Sequence, residues 1–246
     1  MKSAINKFIH KIRTANKYSA VKKYYGNVMQ NPLEIETPAG NNFLVAAPHP
    51  DDEIIGCGGL ICKLLEKKKK ITVFYNKNED DERKKEALEV NKILGIEPVF
   101  TKTYFRTEFK NYLNNNDFDA LIIPNILDNH KFHFKTVEDI YFIFKNSELK
   151  KNNLKIIMFE VWTPAPPNII VDITSVFSKK IDLLKLYKSQ LHSKNYISSV
   201  EGLNTFRSIF LKNINEDKNK KYAEAFMIVD NPEDFIYLFE NCESSK

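Results

Sequence analysis

Glycine is scarce in this chain: 246 residues contain seven. Cysteine is scarcer, with Cys57, Cys62 and Cys242 making up the full count of three. Three thiols cannot all pair with one another. Their scatter fits neither a disulfide framework nor a four-cysteine zinc site, so a reducing, cytoplasmic setting is expected. No uninterrupted apolar run reaches the ~18 residues that a bilayer span needs. The N-terminus shows no apolar segment followed by small residues, so no secretory signal is expected. Arginine is rare too, four residues against 33 lysines, alongside 26 asparagines. That bias reads as an A/T-rich coding preference. It counts against a nucleic-acid surface, where arginine is the favoured base reader.

What is present points to a folded domain. Apolar residues make up 43% and aromatics 12%, enough for a sizeable core and incompatible with global disorder. Net charge is +5, yet the first 30 residues hold seven Lys/Arg and no acid, so the other 216 carry −2. The basic character therefore belongs to an N-terminal arm, residues 1–35, and residues 36–246 read as a single domain. In the arm, Ile5, Phe8, Ile9 and Ile12 recur at helical spacing among Lys7, Lys11, Arg13 and Lys17. Two readings stay open there. One is a short packed helix or solvated tail; the other is a basic amphipathic helix in peripheral contact with anionic lipid.

From Phe43 onward, short apolar runs alternate with amphipathic segments. Strands are expected at Phe43–Ala47, Ile71–Tyr75, Glu97–Thr101, Ala120–Pro124, Ile156–Val161 and Ile169–Ile173. Helices are expected at Gly56–Lys68, Glu79–Leu94, Phe105–Asn114, His133–Asn146 and Ser175–Leu191, the last capped by Thr174 or Ser175. Asn231-Pro232-Glu233-Asp234 reads as the cap, first-turn proline and first-turn acids of a final helix. Strand and helix in alternation predict an α/β fold with a mostly parallel central sheet.

The chemistry concentrates where the first of these strands ends. Phe43–Ala47 stops at Pro48, and His49, Asp51, Asp52 and Glu53 follow at once. Ligand crevices in open α/β sheets lie at the carboxyl ends of strands. Three of the seven glycines (Gly56, Gly58, Gly59) fall just beyond, which predicts a close approach of backbone to something as the helix begins. An imidazole and a carboxylate three residues apart, His49 and Asp52, can both bind a divalent metal. Asp51 between them can act as general base on a metal-bound water. A third ligand is available at His130-Lys131-Phe132-His133, again after a strand; one of these two histidines can ligate while the other faces substrate. Only five histidines exist, and three sit in these two segments.

Ala47-Pro48-His49-Pro50-Asp51-Asp52-Glu53 followed by Gly56-Cys57-Gly58-Gly59 resembles the signature of the PIG-L/LmbE-like zinc-dependent deacetylases. The resemblance continues through Arg83-Lys84-Lys85-Glu86, Leu94-Gly95, His130-x-x-His133, Glu160-Val161-Trp162, Val171-Asp172, Lys188-Ser189-Gln190 and Tyr222–Phe226. It implies a Rossmann-like three-layer fold and removal of an N-acetyl group from an N-acetylglucosamine-type conjugate, small-molecule or lipid-linked. It further implies that His49, Asp52 and His133 bind Zn2+, with Fe2+ suited to the same donors, and that Asp51 is the base. His130 would stabilise the oxyanion or help protonate the amine, and Arg83 would lie near substrate.

The chain also departs from the family pattern. Lys131-Phe132 replaces the usual Pro-Asp between the histidines, Asp128 stands where some relatives carry a catalytic Tyr, and Asn76–Glu79 replaces a Thr-Asp-Gly-like stretch. The altered His130–His133 segment motivates a second expectation, a sugar-binding protein on the same fold with weak or no turnover.

Overall fold

The computed structural model describes residues 31–76, 81–146, 153–192, 194–212 and 221–243. The helix expected in the arm and residues 77–79 of the loop after Tyr75 lie outside the described residues.

Every side chain of Phe43–Ala47 is fully buried, the pattern of a strand covered on both faces. This run is the core of β2 (Asn42–Ala47), which follows β1 (Leu33–Ile35) in an eight-stranded sheet. The others are β3 (Lys70–Tyr75), β4 (Val99–Phe100), β5 (Ala120–Pro124), β6 (Lys155–Phe159), β7 (Ile169–Asp172) and β8 (Ala223–Val229). Their spatial order is β1-β7-β8-β6-β5-β2-β3-β4. All pairings are parallel except those of β8, which runs antiparallel between β6 and β7. Parallel strands need crossovers, and helices supply them on both faces. These are α1 (Asp52–Glu66), α2 (Asp81–Leu94), α3 (Phe105–Asn115), α4 (Lys131–Lys145), α5 (Phe177–Leu184), α6 (Lys188–Leu191), α7 (Tyr196–Arg207) and α8 (Pro232–Glu243).

Side chains alternate across the sheet and so divide the core in two. Phe43, Val45 and Ala47 point into a layer with α1, α2, α5 and Val200 of α7. Leu44 and Ala46 point into the opposite layer, filled by α3, α4 and α8. The result is a three-layer α/β domain. From β2 the chain winds outward to β3 and β4, then returns to lay β5 on the other side of β2. The carboxyl ends of β2 and β5 therefore flank the point where the winding reverses, the place where such sheets open a crevice.

Several boundaries differ from those read in the sequence. The sheet already includes Leu33–Ile35, paired with Ile169–Val171, within the segment assigned to the arm. The helix expected at Gly56 begins at Asp52 and kinks at Cys57 (φ −142°, ψ 21°). The single helix expected over Ser175–Leu191 is a 3-10 turn (Thr174–Val176) followed by α5 and α6. The break lets Tyr187 turn inward, where it is fully buried. Neither Thr174 nor Ser175 caps that segment through its side chain; instead Asp172 Oδ1 accepts the Thr174 N–H at 2.8 Å. Asn231 does cap α8, its Oδ1 accepting the Asp234 N–H at 2.8 Å. The edge strand β1, helix α7 and strand β8 have no counterpart among the expected elements.

Two of the clustered glycines explain themselves as packing. A Cβ on Gly56 would lie 2.1 Å from the Phe159 ring and 2.9 Å from the Glu160 carbonyl oxygen; one on Gly59 would lie 2.6 Å from Ile173 Cγ2. What the backbone approaches is thus the sheet itself, where β6 and β7 end.

Candidate active site

The loop after β2 makes a tight turn into α1, and Asp51 absorbs the turn with φ 110°. For a residue with a Cβ this conformation costs ~1–3 kcal/mol and persists only when its surroundings impose it. They do so at every polar atom for which Asp51 has a partner. Its N–H donates to Glu53 Oε2 (3.0 Å), and its carbonyl accepts from Ile54 and Ile55. Its Oδ1 is gripped by Arg83 Nη2 at 2.6 Å, while Arg83 Nε donates to the Pro50 carbonyl at 2.8 Å.

Asp52 sits one residue on with its carboxylate at the centre of the cluster. Oδ2 accepts the His49 N–H (3.0 Å) and lies 3.1 Å from both His49 Nδ1 and His133 Nε2. Two donors bound at about 2.0–2.1 Å to one tetrahedral ion stand ~3.4 Å apart, so Oδ2 stands from each ring nitrogen at close to a ligand-pair separation. A second donor set overlaps the first: one ring nitrogen from each of His49, His130 and His133 lies within 4.8 Å of the others. His130 Nδ1 is buried and has no hydrogen-bond partner among the described residues, a donor or acceptor left for something else.

The loop after β5 supplies the opposite wall. Asp128 organises it: Oδ2 takes the His133 Nδ1 contact at 3.0 Å and the Trp162 N–H at 3.1 Å, and Oδ1 takes the His130 N–H at 2.9 Å. A carboxylate on Nδ1 fixes the ring so that Nε2 faces Asp52, the arrangement that orients metal-binding histidines. Phe132 does not disturb it, since its ring packs edge-on to His49 with centroids 5.4 Å apart.

Charges in this buried site shift one another strongly. Burial pushes the Asp51 carboxyl well up, Asp52 adds to the rise, and Arg83 opposes it. Burial acts on Asp52 in the same sense, but His133 and His49 more than offset it and hold that carboxyl below the usual range. Burial disfavours charge on His133, yet Asp52 and Asp128 on either side raise it to about 10. His130 moves the other way, lowered by burial and by the neighbouring His133 and His49, which favours a neutral ring over the imidazolium.

Behind the site lies a support that spacing alone did not reveal. Glu53 Oε1 accepts hydrogen bonds from Tyr75 (3.0 Å) and Tyr187 (2.5 Å), and Asn91 donates to the Tyr75 hydroxyl at 2.8 Å. Burial raises the Glu53 carboxyl to about 7 against these bonds. The residues singled out in the sequence, His49, Asp51, Asp52, Arg83, His130 and His133, are all brought together here. Arg83 faces Asp51 directly. Asp128 and Tyr187 were missed as parts of the site; Glu53, read as part of the cluster after β2, holds the Asp51 N–H. Asp128 carried a signal, a carboxylate two residues before His130 after a strand; Tyr187 carried none. Trp162 is 41% exposed and stacks on His130 at 5.6 Å and 13°.

The fold has solved relatives. It superposes on the N,N'-diacetylchitobiose deacetylase of Pyrococcus horikoshii with a TM-score of 0.63 at 19% identity, covering 94% of this chain and 93% of that one. The conserved protein TT1542 of Thermus thermophilus gives 0.63 at 20%, covering 76% and 93%. GalB, the 4-carboxy-2-hydroxymuconate hydratase of Pseudomonas putida, gives 0.62 at 17%, covering 79% and 96%. At these identities the likeness establishes the fold and leaves the reaction to the site. No curated protein is significantly similar in sequence. The family described as PIG-L, GlcNAc-PI de-N-acetylase, matches residues 44–171. That span exceeds half of the chain and takes in both histidine segments, Asp51, Asp52 and Arg83: the chain belongs to the PIG-L family.

Proposed function

We propose that the protein is a metal-dependent hydrolase that removes the N-acetyl group from an amino-sugar conjugate of the N-acetylglucosamine type. The observation that carries this reading is the convergence of His49 Nδ1 and His133 Nε2 on Asp52 Oδ2, with Asp51 beside it at the sheet's switch point. In this reading His49, Asp52 and His133 hold the metal; nitrogen and carboxylate donors suit Zn2+ and also Fe2+. When bound, a divalent ion supplies Lewis acidity, polarising the acetyl carbonyl and making water a stronger acid.

The chain's own groups do the rest. Asp51, aimed by Arg83, takes a proton from the water whose oxygen bonds to the carbonyl carbon. His130 faces the oxygen that gains negative charge, its unpartnered Nδ1 being the polar atom free to answer it. The carbon–nitrogen bond then breaks, the amine nitrogen receives a proton passed on by Asp51 or His130, and acetate leaves. Arg83 lines the substrate edge while neutralising Asp51. Lys131 and Phe132 take no step, so their departure from the family pattern leaves the scheme intact.

Metal content of the purified protein and of His133→Ala, read by elemental mass spectrometry, is the test, followed by turnover of N-acetylglucosamine conjugates. About one zinc or iron per chain, lost in the variant together with turnover, supports the reading. Metal without turnover of any N-acetyl sugar leaves a binding protein, or a different reaction such as the hydratase's on the same fold. No metal after zinc is supplied overturns the ligand assignment.

A further inference from the structure

Beside the cluster lies a second enclosed space that the proposed chemistry does not use. It is a cavity of about 230 Å³ between α7 and the end of β6. Ile55, Val161, Val200 and Leu203 form its apolar wall, and Trp162 and Tyr196 also line it. Each link to the cluster is physical. Ile55 lies on the first turn of α1, three residues after Asp52. Trp162 stacks flat on His130, and Tyr196 meets the Trp162 ring edge-on at 6.1 Å. The Tyr196 phenol is pushed up to about 12 by burial and then by the Asp51 and Asp52 charges, so its hydroxyl shares their electrostatic surroundings. Among the described residues that hydroxyl makes no hydrogen bond.

The lining decides what such a space can hold. Ser199, Asn204, Tyr196 and Lys194 also line it, but the Asn204 amide is already engaged by Lys180 and the Ala223 carbonyl, so a sugar buried there would set most of its hydroxyls against Ile55, Val161, Val200 and Leu203, and each unpaired hydroxyl is costly. Apolar cavities stay dry and take apolar guests; one of about 150 Å³ binds benzene. This cavity is larger. The single charged side chain on its lining, Lys194, sits over the Trp162 ring at 3.7 Å.

We infer that the cavity receives an alkyl or aryl group carried by the substrate, so that the amino sugar lies over the His/Asp cluster and its apolar appendage is buried against α7. The inference rests on the deacetylase reading and narrows its substrate class. An apolar appendage has two sources, an N-acyl chain longer than acetyl or the group at the anomeric carbon. α7 lies beyond the span that matches the family, whereas Ile55, Val161 and Trp162 lie within it, so the cavity joins the matched span to the C-terminal part of the chain.

The only tryptophan of the chain, Trp162, makes the test direct. Methyl N-acetyl-β-glucosaminide, its hexyl counterpart and N-hexanoyl-glucosamine are compared on the metal-loaded full chain, by intrinsic fluorescence and by turnover. Discrimination by an apolar pocket runs to roughly 10–200-fold per methylene. One hexyl-bearing compound should therefore bind and turn over at least about tenfold better than the methyl glycoside, with a saturable fluorescence change. Which compound wins names the source. In Leu203→Phe, which fills the cavity, the hexyl-to-methyl preference should collapse towards one. Saturable hexyl binding lost in the variant, with no turnover of any compound, upholds the cavity while removing the deacetylase reading. Equal affinity and turnover for methyl and hexyl compounds in the wild type overturns the cavity assignment and leaves the deacetylase standing, whether or not the variant folds.

Discussion

Helix α1 is broken at Cys57, and the break is filled by an ion pair. In an unbroken helix the Ile55 carbonyl would accept the Gly59 N–H. Here the Ile55 carbonyl accepts Lys180 Nζ at 2.9 Å, Lys180 donates to Glu224 Oε1 at 2.7 Å, and that oxygen accepts the Gly59 N–H at 2.8 Å. Glu224 Oε2 also takes the Leu60 N–H at 2.7 Å, and Asn204 Oδ1 takes the third ammonium proton at 2.9 Å. Both side chains are buried, at 0% and 1% exposure. Lys180→Met keeps most of the aliphatic stem but strands the Glu224 carboxylate, and breaking a buried pair from one side costs about 3–5 kcal/mol. Against a total of roughly 5–15 kcal/mol the variant should still fold. With a urea slope near 3 kcal/mol per M, the midpoint should fall by about 1–1.7 M. Glu224→Gln strands the ammonium in the same way. The double variant Lys180→Met/Glu224→Gln should be less destabilised than the sum of the two singles by at least ~2 kcal/mol, because each single leaves a buried charge that the double lacks. Urea denaturation of all four proteins measures this. Singles costing under ~1 kcal/mol at an unchanged slope, or strict additivity, would refute the idea that the pair replaces the missing helix bond.

Asp128→Asn should weaken metal affinity about 10–100-fold, read by chelator competition, because it loosens the ring whose Nε2 faces Asp52; unchanged affinity would mean Asp128 serves only the loop. Gly56→Ala should cost about 1–3 kcal/mol through the clash with Phe159 and the Glu160 carbonyl, a Tm loss of roughly 2–12 °C. Gly202→Ala in α7, where an added Cβ meets nothing within 4 Å, should raise Tm instead, by removing backbone freedom from the unfolded chain; both are read by thermal melts. The three thiols are buried, with burial pushing Cys57 well up and Cys62 to about 11. A thiol-reactive dye should therefore label none rapidly in the native protein and three after denaturation.

The parts of this molecule legible in the sequence are those whose signals are local. The unbroken apolar run of β2, the Asn231-Pro232 start of α8 and the Asp-Asp-Glu cluster after a strand each announce themselves within a few residues, and each stands where that signal places it. The site's supports are different in kind. Tyr187 reaches Glu53 across 134 positions and Glu224 reaches Gly59 across 165, so neither contact leaves a trace in spacing or periodicity. The same limit produced the errors. A run from Ser175 to Leu191 has helical spacing throughout, but burying the Tyr187 ring and bonding its hydroxyl to Glu53 requires the chain to leave the helix at Lys185–Tyr187. The glycine cluster was legible as a close approach, while its partner, the end of β6 and β7, depended on strand order. Asp128 marks the boundary between the two kinds of information: its bonds to His130 and His133 are local and its position before them was visible, but its grip on the Trp162 N–H exists only because β5 and β6 are neighbours in the sheet. A motif can thus place the candidate site's side chains, and the topology decides what holds them still.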